Sequence, residues 1–326
     1  MKTTTKNDIV EYIRANAPVS INMIKEKFNL SNQIIHRHIK SLIEQGSIYK
    51  VGTPPKVFYF AFSNEIISFT NGQLVTDNSF LDENFVFFGP DGSLKYGKDG
   101  FIFWCQRHNL DYTKEYEIYK HTIKKYLEYK DKNGFIDGLT KMKATFGEVY
   151  LDKVFYLDFY SIEKYGKTML GNLMLYAKQT GSKELAMKIL EKIKEPIYKL
   201  IEIEGIDSYA FIPPSIDRKV QLMDLLKKGL GLPFKELKLM KIFKNTPVPQ
   251  KSLSKAEDRV INARDTIYVK DRDFLSDTIL LIDDAVGSGA TLNETAKKIK
   301  EQKIAKHVIG LAIVGSFKGF EVISEV

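Results

Sequence analysis

The chain holds a single cysteine, Cys105, among its 326 residues. That scarcity excludes a disulfide-stapled scaffold and a cysteine-rich zinc ribbon. Cys105 follows Phe103 and Trp104, and a lone thiol in such company reads as a small buried hydrophobe. Long hydrophobic runs are missing too: none approaches the roughly 18 apolar residues of a membrane span, and the opening MKTTTKNDIV has no apolar signal core. The expectation is a cytoplasmic protein in a reducing compartment, with no membrane partner. Acidic residues are the minority charge, 41 against 49 Lys and Arg, and the net +8 hints at a polyanionic partner. What the chain does have is core material, 44% hydrophobic and 12% aromatic residues. Its length suits about two domains of roughly 100–200 residues.

Residues 6–17 read as a short amphipathic helix with Ile9, Val10 and Ile13 inward, stopped by Pro18. Ser20 reads as the N-cap of a second helix, with Ile21, Ile24 and Phe28 on one side. After the turn Asn29-Leu30-Ser31, Ser31 caps a third helix whose Ile35, Ile39, Leu42 and Ile43 form a buried stripe, closed by Gly46. SIYKV and KVFYF then alternate as two strands around the tip Gly52-Thr53-Pro54-Pro55. The stretch APVSINMIKEKFNLSNQIIHRHIKSLIEQGSIYKV resembles the winged helix-turn-helix family over its whole length. That resemblance implies a third helix entering a major groove with Asn32, Gln33, His36, Arg37 and Lys40, while Lys50 and Lys56 flank the wing near phosphates. DNA is the expected partner, and a protein-contact face is the alternative. His36 and His38 are two apart on a helix, so they point to different sides and do not form a metal pair.

The expected organisation is a winged-helix domain over 1–62, a mixed, partly helical middle segment over 63–146, and an α/β domain over 147–326. In the middle, FGPDGSLKYGKDG reads as loops or a hairpin. Tyr112, Tyr116, Tyr119, Ile123 and Tyr126 recur at 4-3-4-3 spacing along a helix. Such a stripe suits an intrachain core, the simpler reading, or a homodimer seam.

From residue 147 strands alternate with helices, which argues for a mostly parallel sheet with ligand outside the carboxyl ends of its strands. The buried strand DTILLID ends in Asp283-Asp284 and leads into Gly287-Ser288-Gly289-Ala290-Thr291 and an amphipathic helix. Small residues opening a helix N-terminus suit a phosphate. A Walker loop would need Gly-Lys-Ser/Thr, and the dinucleotide fingerprint would need a third glycine where Leu292 stands. Two carboxylates beside a phosphate loop fit a sugar phosphate instead: the acids accept from vicinal ribose hydroxyls, and the loop takes the 5′-phosphate.

Ile279-Leu280-Leu281-Ile282, Asp283-Asp284, Ala285-Val286 and Gly287 to Thr291 resemble the 5-phosphoribosyl-1-diphosphate (PRPP) motif of type I phosphoribosyltransferases, with Gly287 where threonine is commoner. YAFIPPSIDRK, GLGLPF and TPVPQKSLSKAEDRVINARDTIYV, with that motif, look like the ComF family over roughly residues 150–320. The four-cysteine finger typical of ComF proteins is absent, since this chain has one cysteine.

The resemblance implies a type I phosphoribosyltransferase fold. It implies a diphosphate loop with Ser215, Asp217, Arg218 and Lys219, and a flexible loop over 244–264 carrying Lys251, Lys255, Arg259 and Arg264. It also implies Mg²⁺, held chiefly by substrate oxygens and water with Asp283 and Asp284 helping. Three functions stay open: a DNA-associated PRPP-binding protein, which is preferred, an active phosphoribosyltransferase for an unidentified base or amine, and a PRPP-sensing transcription regulator.

Overall fold

The computed structural model describes residues 6–44, 47–51, 57–61, 79–253, 255–271 and 273–317. The chain divides into two compact units, residues 1–74 and 75–326.

The first unit holds α1 (Lys6–Asn16), α2 (Ile21–Phe28), α3 (Asn32–Glu44) and the antiparallel pair β1 (Ile48–Val51) and β2 (Phe58–Ala61). Ser20 caps α2 by accepting from the Met23 N–H at 3.4 Å, and Ser31 Oγ accepts from the Ile34 N–H at 3.4 Å. Asn29 ends α2 in the left-handed region, φ 51°, and its N–H bonds the Lys25 carbonyl. Ile9, Ile13, Ile24, Ile35, Ile39 and Leu42 meet Val19, Ile48 and Tyr59 in one small core. One stripe position differs from expectation. Ile43 is exposed at the end of α3, because the core-facing sector of that helix is narrower than its apolar run, while half-buried Val10 packs against the core. Gly46, the hairpin tip at 52–55 and Lys56 lie outside the described residues.

The second unit begins with α4 (Ser79–Asn84), the hairpin β3 (Val86–Phe88) and β4 (Leu94–Tyr96), α5 (Gly97–Arg107), α6 (Tyr112–Leu127), β5 (Ile136–Asp137) and α7 (Leu139–Thr145). It continues with β6 (Lys153–Phe159), the small hairpin β7 (Ser161–Ile162) and β8 (Gly166–Lys167), α8 (Met169–Thr180) and α9 (Lys183–Glu204). Then come β9 (Ser208–Phe211), α10 (Leu222–Leu230), β10 (Lys235–Glu236), β11 (Leu239–Lys241), α11 (Ala256–Thr266), β12 (Ile267–Val269), β13 (Ser276–Val286), α12 (Ala290–Glu301) and β14 (Ala305–Gly315). Gly181 and Gly231 end α8 and α10 in the left-handed region, where a glycine costs least.

Six strands form the main sheet in the order β10-β9-β13-β14-β6-β5, all parallel except the edge strand β5. Both faces are covered, so β13 reads as a continuous apolar run rather than an alternating one. Leu280 and Ile282 pack with α8, α9 and α10, while Ile279 and Leu281 pack with α12 on the other face. Tyr116, Tyr119, Ile123 and Tyr126 of α6 join that second cluster, so the tyrosine stripe packs inside its own chain. Cys105 is fully buried there; burial, then Glu115 and Asp111, push its thiol up to about 12.

Sheet topology opens the cleft. β9 pairs with β13 only from Ser208↔Ile279 to Phe211↔Ile282, and the Ile212 N–H adds one last bond to the Ile282 carbonyl at 2.9 Å. Pro213 and Pro214 follow, and without N–H groups they cannot extend the ladder. β13 runs on to Val286 against β14 alone, with Asp283 opposite Ala312. Beyond β9 the chain turns outward to β10, whereas beyond β13 it turns the other way to β14. Neighbouring strands whose connections diverge make the switch point where open α/β sheets place ligands.

Candidate functional site

A cavity of about 210 Å³ lies at this switch point, and its floor is the unpaired side of Asp283 to Val286. Past the floor, Gly287 and Ser288 lead to Gly289, which sits at φ 79° and caps α12. Glycine is needed there twice over: the left-handed backbone disfavours a side chain, and an added Cβ would lie 2.8 Å from Met142 Cε. Ser288 Oγ accepts from the Ala290 N–H at 3.3 Å, and the Asn293 N–H bonds the Gly289 carbonyl at 2.9 Å. The first turn of α12 therefore borders the cavity through Gly289, Thr291 and Leu292. Buried Asn293 fixes that turn by accepting from the Tyr150 N–H at 2.8 Å and donating to the Glu148 carbonyl at 3.0 Å.

Asp283 accepts from the Asp284 N–H at 2.8 Å. Burial, then the adjoining Asp284 carboxylate, push the Asp283 carboxyl up to about 7, against the pull of Lys178 and Lys241. Lys178, from α8, ion-pairs with Asp284. Lys241, from β11, donates to Ser215 Oγ at 2.6 Å, and burial lowers its pKa while Asp283 acts against that. Arg259 is only 6% exposed. Its Nε donates to the Leu253 carbonyl at 2.8 Å, while its buried Nη2 has no hydrogen-bond partner among the described residues. Gln250 braces the same segment by donating to the Arg259 carbonyl at 3.0 Å. An unfilled donor on a buried guanidinium lining a cavity is a ready contact for an anion. The opposite wall is apolar, with Tyr160, Met174, Leu175, Leu222 and Met223.

The structure thus brings together Asp283, Asp284, Gly287, Ser288, Gly289, Thr291, Ser215, Arg218 and Arg259. Ala290 is buried beneath the loop rather than lining the cavity. Asp217, Lys219, Lys255 and Arg264 are exposed and outside the lining, and Arg264 pairs with Asp265 at 3.3 Å. The side chain of Lys251 is outside the described residues. The 244–264 segment read as a loop holds a 3-10 turn at Gln250–Ser252 and most of α11, which packs on α12. Sequence reading missed Lys178, Lys241, Gln221 and Gln250. Lys178 stands 106 positions from Asp284, and no local pattern marks a lysine in the last turn of α8 as its partner.

In the first unit, Asn32, Gln33, His36, Arg37 and Lys40 all stand exposed on α3, and Lys50 is exposed on β1. Ile35, Ile39 and Leu42 anchor the opposite side of the helix, so the polar face is held rigidly outward. Burial, then Arg37 and Lys6, lower the pKa of half-buried His38. Among the described residues no helix is long and apolar enough to cross a membrane, and none forms a group of three or more His, Cys, Asp or Glu that could hold a metal.

No curated protein matches this chain. Residues 5–58 match the family model of an HTH domain, which covers α1 to α3 and the first strand of the hairpin.

Proposed function

We propose that residues 75–326 bind PRPP, or a related ribose 5-phosphate, with Mg²⁺, in a type I phosphoribosyltransferase fold of the ComF kind, and that the first unit binds DNA. Convergence carries the first half. Two carboxylates, a glycine-turned loop at a helix N-terminus and the cations Lys178, Arg218, Lys241 and Arg259 come from separate stretches and line one cavity. A ribose with vicinal hydroxyls suits Asp283 and Asp284, and its 5′-phosphate suits the Gly287 to Thr291 loop. The diphosphate suits Arg218, Lys241 and the open Nη2 of Arg259. The paired carboxylates fit a hard oxygen-seeking cation arriving with diphosphate, so Asp283 and Asp284 would hold Mg²⁺ along with ligand oxygens and water. Held there, it would neutralise charge on the diphosphate. Lys178 pairs with Asp284 and holds that carboxylate in place, and the Arg259 segment shields the site from water.

PRPP with Mg²⁺ is expected to raise the melting temperature of the whole chain, and the double variant Asp283→Asn, Asp284→Asn is expected to lose that shift. An equal shift in the double variant would place the ligand elsewhere.

The apolar wall favours a second reading, transfer to a base or amine. The anomeric C–O bond to diphosphate then breaks as a C–N bond forms, and the acceptor gives up its proton to water. Steady diphosphate release with some base would establish it; none across a broad set would leave a binding protein or a PRPP sensor. A sensor further requires PRPP to change DNA affinity, and DNA to change PRPP affinity by the same factor.

For DNA, the support is the HTH match and the exposed polar face of α3. Gel-shift titration at two salt concentrations tests it; no duplex affinity at low salt would make the unit a protein-contact module.

A further inference from the structure

We propose that the second unit carries another small-ligand site, a groove between α9, the end of β6 and the 83–134 segment, that takes an organic cation with several N–H donors on a short apolar body. The groove encloses about 480 Å³ and shares no lining residue with the cavity at Asp283. That size lies within the about 300–1,000 Å³ of small-molecule pockets.

Its deep end is Asp158, opposite Val314 at the carboxyl end of β6, the side of a parallel sheet that receives ligands. Asp158 accepts the Phe159 N–H at 2.8 Å and hydrogen-bonds the Thr168 side chain, and Lys130 and Lys192 attract it from a distance, yet among the described residues it has no ion pair. A half-buried carboxyl without a counter-ion is costly unless something cationic meets it. Burial pushes its pKa up, and the pull of Lys130 only partly opposes this.

The rest of the lining agrees in sign. Glu83, Glu191 and Glu195 bring the carboxylates to four, against the three ammonium groups of Lys130, Lys192 and Lys199. Two of those ammonium groups are already engaged as straps across the groove: Lys192 reaches the Glu83 carbonyl at 3.5 Å and Lys199 the Asn133 carbonyl at 3.0 Å. Pro196 inside α9 has no N–H for the Lys192 carbonyl, which leaves a helical acceptor in the lining stretch. Ile123, Leu157 and Leu170 supply apolar surface for the ligand body. Carboxylate plus carbonyl beside apolar side chains is the complement of an ammonium or amidinium on a hydrocarbon stem.

Titration calorimetry of the full chain with benzamidine and with its neutral isostere benzamide tests the site. Benzamidine is expected to bind saturably and about tenfold or more tighter than benzamide, a difference of about 1.4 kcal/mol or more. Asp158→Asn is expected to abolish that difference. Glu191→Gln with Glu195→Gln, both on the exposed rim, is expected to weaken benzamidine a few-fold and serves as the readout where Asp158→Asn fails to fold. Equal affinity for both probes, no saturable benzamidine binding at millimolar concentrations, or benzamidine affinity unchanged by the charge-removing variants would overturn the proposal.

Discussion

The two polar surfaces of this chain hold their charges in opposite ways. On α3, Arg37 and Lys40 stand in solvent, and Lys40 reaches Glu44 only at 4.0 Å with its side chain 80% exposed. In the cavity, Asp283 and Asp284 are half-buried, and their near neighbours Lys178, Lys241 and Arg259 are each tied to a specific partner. Solvated charges act through a screened field, roughly one at a time. Half-buried ones polarise each other, so altering one retunes the rest. Substitutions on α3 should therefore change binding and leave stability alone, whereas substitutions in the cavity should change both.

The largest contrast is expected between Gly289→Ala and His36→Ala. The first forces a side chain into φ 79° and against Met142, at about 1–3 kcal/mol, and disturbs the loop from Gly287 to Thr291; the second should stay within about 0.5 kcal/mol. Denaturant midpoints measure both, and comparable losses would erase the distinction between the surfaces. Next comes Lys178→Met. It strands Asp284 in a cleft, so the loss should exceed the ~1 kcal/mol of an exposed pair without reaching the ~3–5 kcal/mol of a fully buried one. It should also raise the Asp283 pKa further, since Lys178 opposes that shift.

A smaller effect is the pH dependence of stability. Asp283 has a folded-state pKa raised to about 7, so the stability its proton contributes is full below the usual carboxylate range and is lost as pH rises from there through about 7. Wild-type stability should carry that falling component, and Asp283→Asn should flatten it; thermal melts across that range decide the matter. The smallest changes are expected on α3, where Arg37→Ala and Lys40→Ala should each weaken duplex binding a few-fold and lower the salt slope by about 1, with melting temperatures unchanged. A large stability loss from either would show that α3 is not a simple solvated face.

Much of this was legible wherever the signal is contiguous. The helix caps at Ser20 and Ser31 are written within a few residues of the turns they make. The β13–loop–α12 unit is likewise a single stretch, from a both-faces-buried strand through two acids to Gly289. The rest was not, because it depends on chain segments meeting in space. Lys178 and Lys241 are ordinary lysines until α8 and β11 are laid beside β13. Arg259 sits in a segment that reads as a basic loop because its apolar periodicity is weak, yet α11 leans on α12 and turns that side chain inward. The same folding leaves Lys219, Lys255 and Arg264 exposed, which charge and proximity in sequence could not distinguish from Arg259.

The most direct test of the account is calorimetric titration of the full chain with PRPP and Mg²⁺, alongside Arg259→Met and the Asp283→Asn, Asp284→Asn double variant. The account expects saturable one-to-one binding, weakened about tenfold or more by Arg259→Met and lost in the double variant. Absence of binding by the wild-type chain, or wild-type affinity in the double variant, would contradict it.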